Sequence, residues 1–216
     1  MKNYINQIEK NYDIVYDHFK EQDQLRNTGF GFFTTLTVAV MSFLDKEKQT
    51  ISLLIIFGAM FILGFLFSLL LCRYKYYGNI YSITMKVLRR LYNCDERMSE
   101  KKRNDIIEDT IKEKAGSIKP KFYSADFLIY LCLIIINCLN LIMVINQIKQ
   151  YLSINTALFV ILILIYVIAS IFLYDLLVIK KSRKCKAKQL SFIDGFYVTE
   201  NNNNSESRQS KTESGK

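Results

Sequence analysis

Residues 51–72 read ISLLIIFGAMFILGFLFSLLLC, and none of them is charged. A helix rises about 1.5 Å per residue, so a run of roughly 20 apolar residues matches the hydrocarbon core of a bilayer. Within lipid such a run must be helical, because an open strand leaves its backbone N–H and C=O groups unsatisfied. The same pattern recurs at Phe127–Ile145 (FLIYLCLIIINCLNLIMVI) and at Ala157–Ile179. A further segment, Thr28–Leu44 (TGFGFFTTLTVAVMSFL), is shorter and rich in threonine. The expected fold class is therefore an all-α integral membrane protein with four transmembrane helices.

Composition points the same way. Half of the residues are hydrophobic and 23% are charged, yet the two classes do not mix. A water-soluble core alternates them at a period of two or 3.6 residues. Here the charges lie between the apolar runs, which gives five expected regions. Residues 1–27 form an amphipathic helix, 28–72 a membrane hairpin and 73–126 a polar helical segment. Residues 127–179 form a second hairpin, and 180–216 a basic juxtamembrane segment followed by a disordered tail.

Lysine and arginine counts orient the chain. Residues 1–27 hold four, 73–126 thirteen and 180–216 nine, whereas 45–50 hold two (Lys46, Lys48) and 146–156 one (Lys149). The positive-inside rule then places both termini and the central segment in the cytoplasm (N-in/C-in), in a cell inner or plasma membrane. This asymmetry accounts for the net charge of +9, so no specific nucleic-acid partner is expected. The first 27 residues show no cleavable signal peptide.

Outside the spans the pattern is helical. Ile5, Ile8, Tyr12, Val15 and Phe19 fall on one face, with Gln22 and Arg26 continuing toward the first span. After the second span, Tyr77, Tyr81, Thr84, Leu88 and Leu91 recur at similar intervals, with Gly78 as a weak point. Residues 100–114 read as a charged helix with Ile106, Ile107 and Ile111 on its apolar side, before Gly116 and Pro120 punctuate the chain. From Asn201 onward, NNNNSESRQSKTESGK has the composition of a disordered tail.

The third span carries the intramembrane polar candidates. Asn137 and Asn140 lie one turn apart, Tyr130 stands about two turns earlier, and Asp126 extends the stripe to the membrane edge. Amides facing lipid are costly, so they belong against another helix or water. They either line a path or hydrogen-bond between helices. In the first span Thr28, Gly31, Thr35, Ala39 and Ser42 form a small, mildly polar stripe, suited to close helix approach or to a hydrated path. Gly58, Gly64 and Ser68 offer a packing surface in the second span.

Asp175 follows a long apolar run. It is interfacial if the span ends at Tyr174. It lies about 6 Å inside if the span ends at Ile179, and then needs a partner such as Arg26 or Arg73. Six of nine residues in KKSRKCKAK are basic: Lys180, Lys181, Arg183, Lys184, Lys186 and Lys188. Such a cluster satisfies the positive-inside rule and contacts anionic lipid.

Other chemistry lacks its residues. His18 is the only histidine, and Cys72, Cys94, Cys132, Cys138 and Cys185 form neither a CxxC nor a Cys/His cluster. Gly29 and Gly31 are not followed by the third glycine of a phosphate loop. No cofactor, metal site or catalytic set is expected.

One stretch carries a family resemblance. YDIVYDHFKEQDQLRNTGFGFFTTLTVAVMSF, followed after the second span by LLLCRYKYYGNIYSITMKVLRRLY, resembles the amino-terminal hairpin of small bacterial membrane proteins of the SLATT and RipA types. Tyr12, Tyr16, Arg26, Phe32, Phe33, Arg73 and Tyr81 carry it, over residues 10–92. The resemblance implies an oligomeric inner-membrane protein, of a kind that includes membrane-disrupting effectors in bacterial defence partnered by a sensor. The second hairpin departs from that two-span pattern.

The expected function is thus an oligomeric membrane scaffold or effector, including a pore-forming one, with the bilayer, its own copies and a cytoplasmic protein as partners. A small-solute or ion transporter is the alternative. The spans lack the prolines, midplane charges and repeated halves that such carriers use. A lipid-acting enzyme ranks last.

Overall fold

The computed structural model describes residues 2–43, 50–94, 98–118, 124–149, 156–186 and 190. Among them every regular element is helical. The order is α1 (Lys2–Phe43), α2 (Thr50–Tyr92), α3 (Glu100–Gly116), α4 (Ala125–Lys149) and α5 (Thr156–Tyr174), then a π-helical segment (Asp175–Lys180) and the short α6 (Lys181–Arg183). Lys46, Lys48, Pro120, Lys188 and the tail from Asn201 lie outside the described residues.

The long helices ignore the polar-to-apolar transitions along the chain. α1 runs for 42 residues across the expected boundary at Asn27/Thr28, and α2 for 43 residues across Cys72/Arg73 and through Gly78. Helical hydrogen bonds are local, so a helix continues from one medium into another while each stretch of side chains suits its surroundings.

Three helices are long and apolar enough to cross a membrane: Ser52–Tyr92, Ala125–Lys149 and Ala157–Arg183. The apolar half of α1 is not among them. Thr28, Thr34, Thr35, Thr37, Gly29 and Gly31 dilute it, and Arg26 and Asn27 precede it.

The chain divides into two compact units. One comprises Lys20–Gly78 and Lys119–Ser182. Its outside is oil-like: Ile55 and Ile168 are each 66% exposed and Phe32 is 61% exposed. Among the described side chains of α5 only Ser170 and Tyr174 are buried. Continuous apolar exposure of this extent is stable in lipid and aggregates in water. Its inside mixes aromatics with polar groups. Phe33 packs on Phe67 (5.3 Å between ring centroids) and Phe61 on Tyr166 (5.4 Å). Hydroxyls are satisfied within their own helices: Thr34 donates to the Phe30 carbonyl, Thr37 to that of Phe33 and Ser68 to that of Gly64, at 2.9–3.0 Å.

The other unit draws on Met1–Phe19, Asn79–Ile118 and the chain from Arg183 onward. Its core is Ile8 and Val15 of α1, Ile80, Ile83, Val87, Leu88 and Leu91 of α2, and Ile107, Ile111 and Ala115 of α3. Each fully buried Leu, Ile or Val contributes about 1.5–3 kcal/mol. The spacing places Ile5, Tyr12 and Phe19 on the same stripe, and they are half-buried. On α3 the buried face is Ile107, Thr110, Ile111 and Ala115, with Ile106 at its margin. Polar clasps close the surface. Glu113 accepts from Lys86 Nζ (2.6 Å) and Arg90 Nη2 (2.5 Å), and Arg90 Nη1 reaches Thr110 Oγ1 (3.0 Å). Arg103 lies over the Tyr4 ring and His18 stacks on Tyr81.

Candidate functional site: the polar stripe of α4

All four members of the α4 stripe turn inward, because the opposite face supplies Leu128, Ile135 and Leu139 to the exterior. From residue 126 to residue 140 the stripe climbs about 21 Å, most of a hydrocarbon core.

At the lower end Asp126 is clasped by two cations. Arg26 of α1 and Lys75 of α2 both bond its carboxylate, and Arg26 also pairs with Asp23 at 2.6 Å. Side-chain exposures of 16% for Asp126, 14% for Arg26 and 29% for Lys75 mean that little water screens the clasp. It ties three helices together where the chain passes from polar to apolar. The sequence puts Asp126 at the membrane edge and names Arg26 or Arg73 as a partner for Asp175 only if the last span runs to Ile179. Instead Arg26 serves Asp126, and Arg73 lies over the Tyr77 ring.

Asp175 takes a different partner, Lys180 at 3.3 Å, with the Asp175 side chain 39% exposed. Both belong to the π-helical segment, so the pair is local and needs no cation from another helix. Lys180 also lies over the Phe172 ring, and Lys181 over the Tyr76 ring at 4.5 Å. Within the other unit, Arg183 Nε donates to the Ile118 carbonyl (2.8 Å). All the described members of the basic cluster, Lys180, Lys181, Arg183, Lys184 and Lys186, are exposed. Burial pushes the Cys185 thiol above its ordinary pKa.

One turn above Asp126, the Tyr130 hydroxyl donates to the Ser170 carbonyl of α5 (2.9 Å), and its ring packs on Tyr174 at 4.8 Å. Higher still, Asn137 meets Gly64. A Cβ built on Gly64 comes within 2.7 Å of Asn137 Cγ and 2.9 Å of Phe33 Cζ, so any larger residue must displace both side chains. The amide lies against the bare backbone this leaves. With its oxygen toward α5, Asn137 accepts from the Tyr166 hydroxyl (2.7 Å) and from Phe65 N (3.2 Å), and donates to the Phe61 carbonyl (3.2 Å). The opposite amide orientation keeps only the Tyr166 bond, so the first is the physically satisfied one. Asn137 thereby joins α2, α4 and α5.

Asn140 is 1% exposed and neither its Oδ1 nor its Nδ2 has a partner among the described residues. The other glycines behave differently from Gly64. A Cβ on Gly31 or Gly58 meets nothing within 4 Å, so neither is a close-approach position inside this chain. Ser68 is buried beside Gly64 on α2. Thr35 is exposed, with its hydroxyl returned to the Gly31 carbonyl (2.9 Å). Thr28, Ala39 and Ser42 are exposed too, so the whole α1 stripe faces away from the interior.

Two participants escaped sequence reasoning. Lys75 looked like one of many juxtamembrane lysines. Tyr166 had a legible signal, a phenol in the middle of an otherwise aliphatic span that needs a hydrogen-bond partner. Neither a protein-family model, a curated protein nor a solved structure matches the chain.

Proposed function

We propose that this chain is a homo-oligomeric, four-span membrane protein, a scaffold or membrane effector whose copies meet through the exposed stripe of α1. The observation that carries the reading is Thr28, Gly31, Thr35, Ala39 and Ser42 lying exposed together. Small residues at this spacing let two helix backbones approach closely, and that contact is the main source of helix association in lipid. All five residues are exposed, and a Cβ on Gly31 would meet nothing within 4 Å, so the stripe is open to a second helix. A neighbouring groove of about 460 Å³, lined by Thr34, Thr37, Val38, Met41, Ser42, Ile136 and Leu139, widens the contact surface.

The topology follows the charge asymmetry, with both termini cytoplasmic and the protein in the cell's inner or plasma membrane. The apolar half of α1 is the fourth span, sheltered from lipid by its copies. Asn137 is committed to packing within one chain. In the effector form, a conducting path therefore runs between copies along the α1 stripe. The likeness to SLATT and RipA proteins supports the same reading and adds a role in bacterial defence with a cytoplasmic partner.

Cysteine cross-linking in native membranes tests the interface. With native cysteines replaced by serine, Thr35→Cys should form a disulfide-linked dimer on mild oxidation. Leu162→Cys, exposed on α5, should not. Equal cross-linking at both positions, or none at Thr35, contradicts the interface.

A further inference from the structure

Asn140 combines three features that rarely coincide: an uncharged amide, near-complete burial, and no partner among the described residues for either its donor or its acceptor. Asn137, one turn away on the same helix, shows the alternative, an amide bonded on both sides. Buried polar groups in folded chains are hydrogen-bonded, and the requirement is stricter where lipid surrounds the bundle.

The chemistry of the missing partner is constrained. A cation satisfies Oδ1 and leaves Nδ2 bare. An anion does the reverse. A side chain from a second copy cannot reach a residue that is 1% exposed. Water alone, among small abundant species, both donates and accepts within about 30 Å³. Ile136 and Leu139 of α4 wall a groove of about 460 Å³ beside α1, and Asn140 is not itself part of its lining. Thr37, on the opposite wall, is buried and bonds the Phe33 carbonyl through its hydrogen, which leaves its oxygen free to accept.

We propose that Asn140 is a binding site for an internal water, which completes the polar stripe of α4 above Asn137. The site belongs to the single chain and stands whether or not copies associate.

Solid-state NMR of the full chain in bilayers, with asparagine and leucine labelled, reads this directly through magnetisation transfer from water. The Asn140 carboxamide should gain signal several-fold faster than the methyls of Leu133, which is 1% exposed and apolar. Asn140→Leu should remove that peak and leave the Asn137 resonances in place. If the leucine variant does not fold, Asn140→Ser keeps a donor and an acceptor in a smaller volume and makes the same assignment. Signal growth at the Leu133 rate overturns the proposal. So does a change in the Asn140 carbonyl shift when potassium chloride replaces choline chloride, because that marks a cation.

Discussion

In the unit built from Lys20–Gly78 and Lys119–Ser182, the hidden side chains include Ser68, Tyr130, Asn137 and Asn140, while Ile55, Ile62 and Ile168 face outward. In the unit built from Met1–Phe19, Asn79–Ile118 and the chain from Arg183, the hidden side chains are mostly aliphatic, among them Ile83, Val87, Leu88, Leu91 and Ile107, with Thr84 and Thr110 the buried hydroxyls, while Lys86, Arg90 and Glu113 form ion pairs at the surface. α1 and α2 contribute to both arrangements. In water, apolar burial drives packing and charges stay outside. In lipid that drive vanishes between helices, and close contact plus interhelical hydrogen bonds take its place. In the first unit a glycine and an amide therefore add to the packing of Phe33, Phe57, Leu133 and Ile134, whereas the second relies on aliphatic burial.

The most damaging test of that contrast is Gly64→Leu against Gly58→Leu. The first drives a side chain into Asn137 and Phe33 and breaks the amide's backbone bonds, for a loss of about 5 kcal/mol. The second enters open space and should leave the unfolding midpoint in detergent nearly unchanged. Equal effects would show that Gly64 is not a contact point. Next in size is Leu88→Ala, which opens a cavity in an apolar core at a cost of about 3 kcal/mol. Ile168→Ala removes the same kind of atoms from a lipid-facing surface and should cost under about 0.5 kcal/mol. Denaturation midpoints that fall together would remove the distinction between the units.

Asp126→Asn comes third. It strips the shared acceptor from Arg26 and Lys75 and should lower stability by about 2 kcal/mol, with the double change Asp126→Asn, Lys75→Met recovering part of it. A double-mutant cycle without coupling would show that the clasp does no work.

The smallest effect belongs to Glu113. Hydrogen bonds from Lys86 and then Arg90 hold its carboxyl below the usual carboxylate range. Its contribution is therefore complete above the unfolded glutamate value of about 4.3 and is lost as pH falls through the lower folded value. Titration of the Glu113 carboxyl carbon by NMR should give a midpoint below the unfolded glutamate value of about 4.3, and Arg90→Gln should raise it.

The apolar runs were legible because length and absence of charge are one-dimensional properties. The three long apolar helices follow from them directly. Partnership was not legible. Arg26 and Asp126 are one hundred residues apart, and nothing local distinguishes Arg26 from Arg73 as the cation that reaches an acid. Gly31, Gly58 and Gly64 carry the same letter in similar surroundings, and only the position of Phe33 and Asn137 sets Gly64 apart as a close contact. The same holds for the two asparagines. Helical spacing put both on one face, but whether an amide finds a partner depends on what the opposite helix presents.

Oligomerisation through α1 is the central claim, and the mass of the intact protein in mild detergent tests it most directly. The account predicts one discrete species at an integer multiple, above one, of the 25.3 kDa chain, reduced to a single chain by Gly31→Ile with Ala39→Ile. A clean monomer of the unaltered protein would contradict it and return a single-chain carrier to first place.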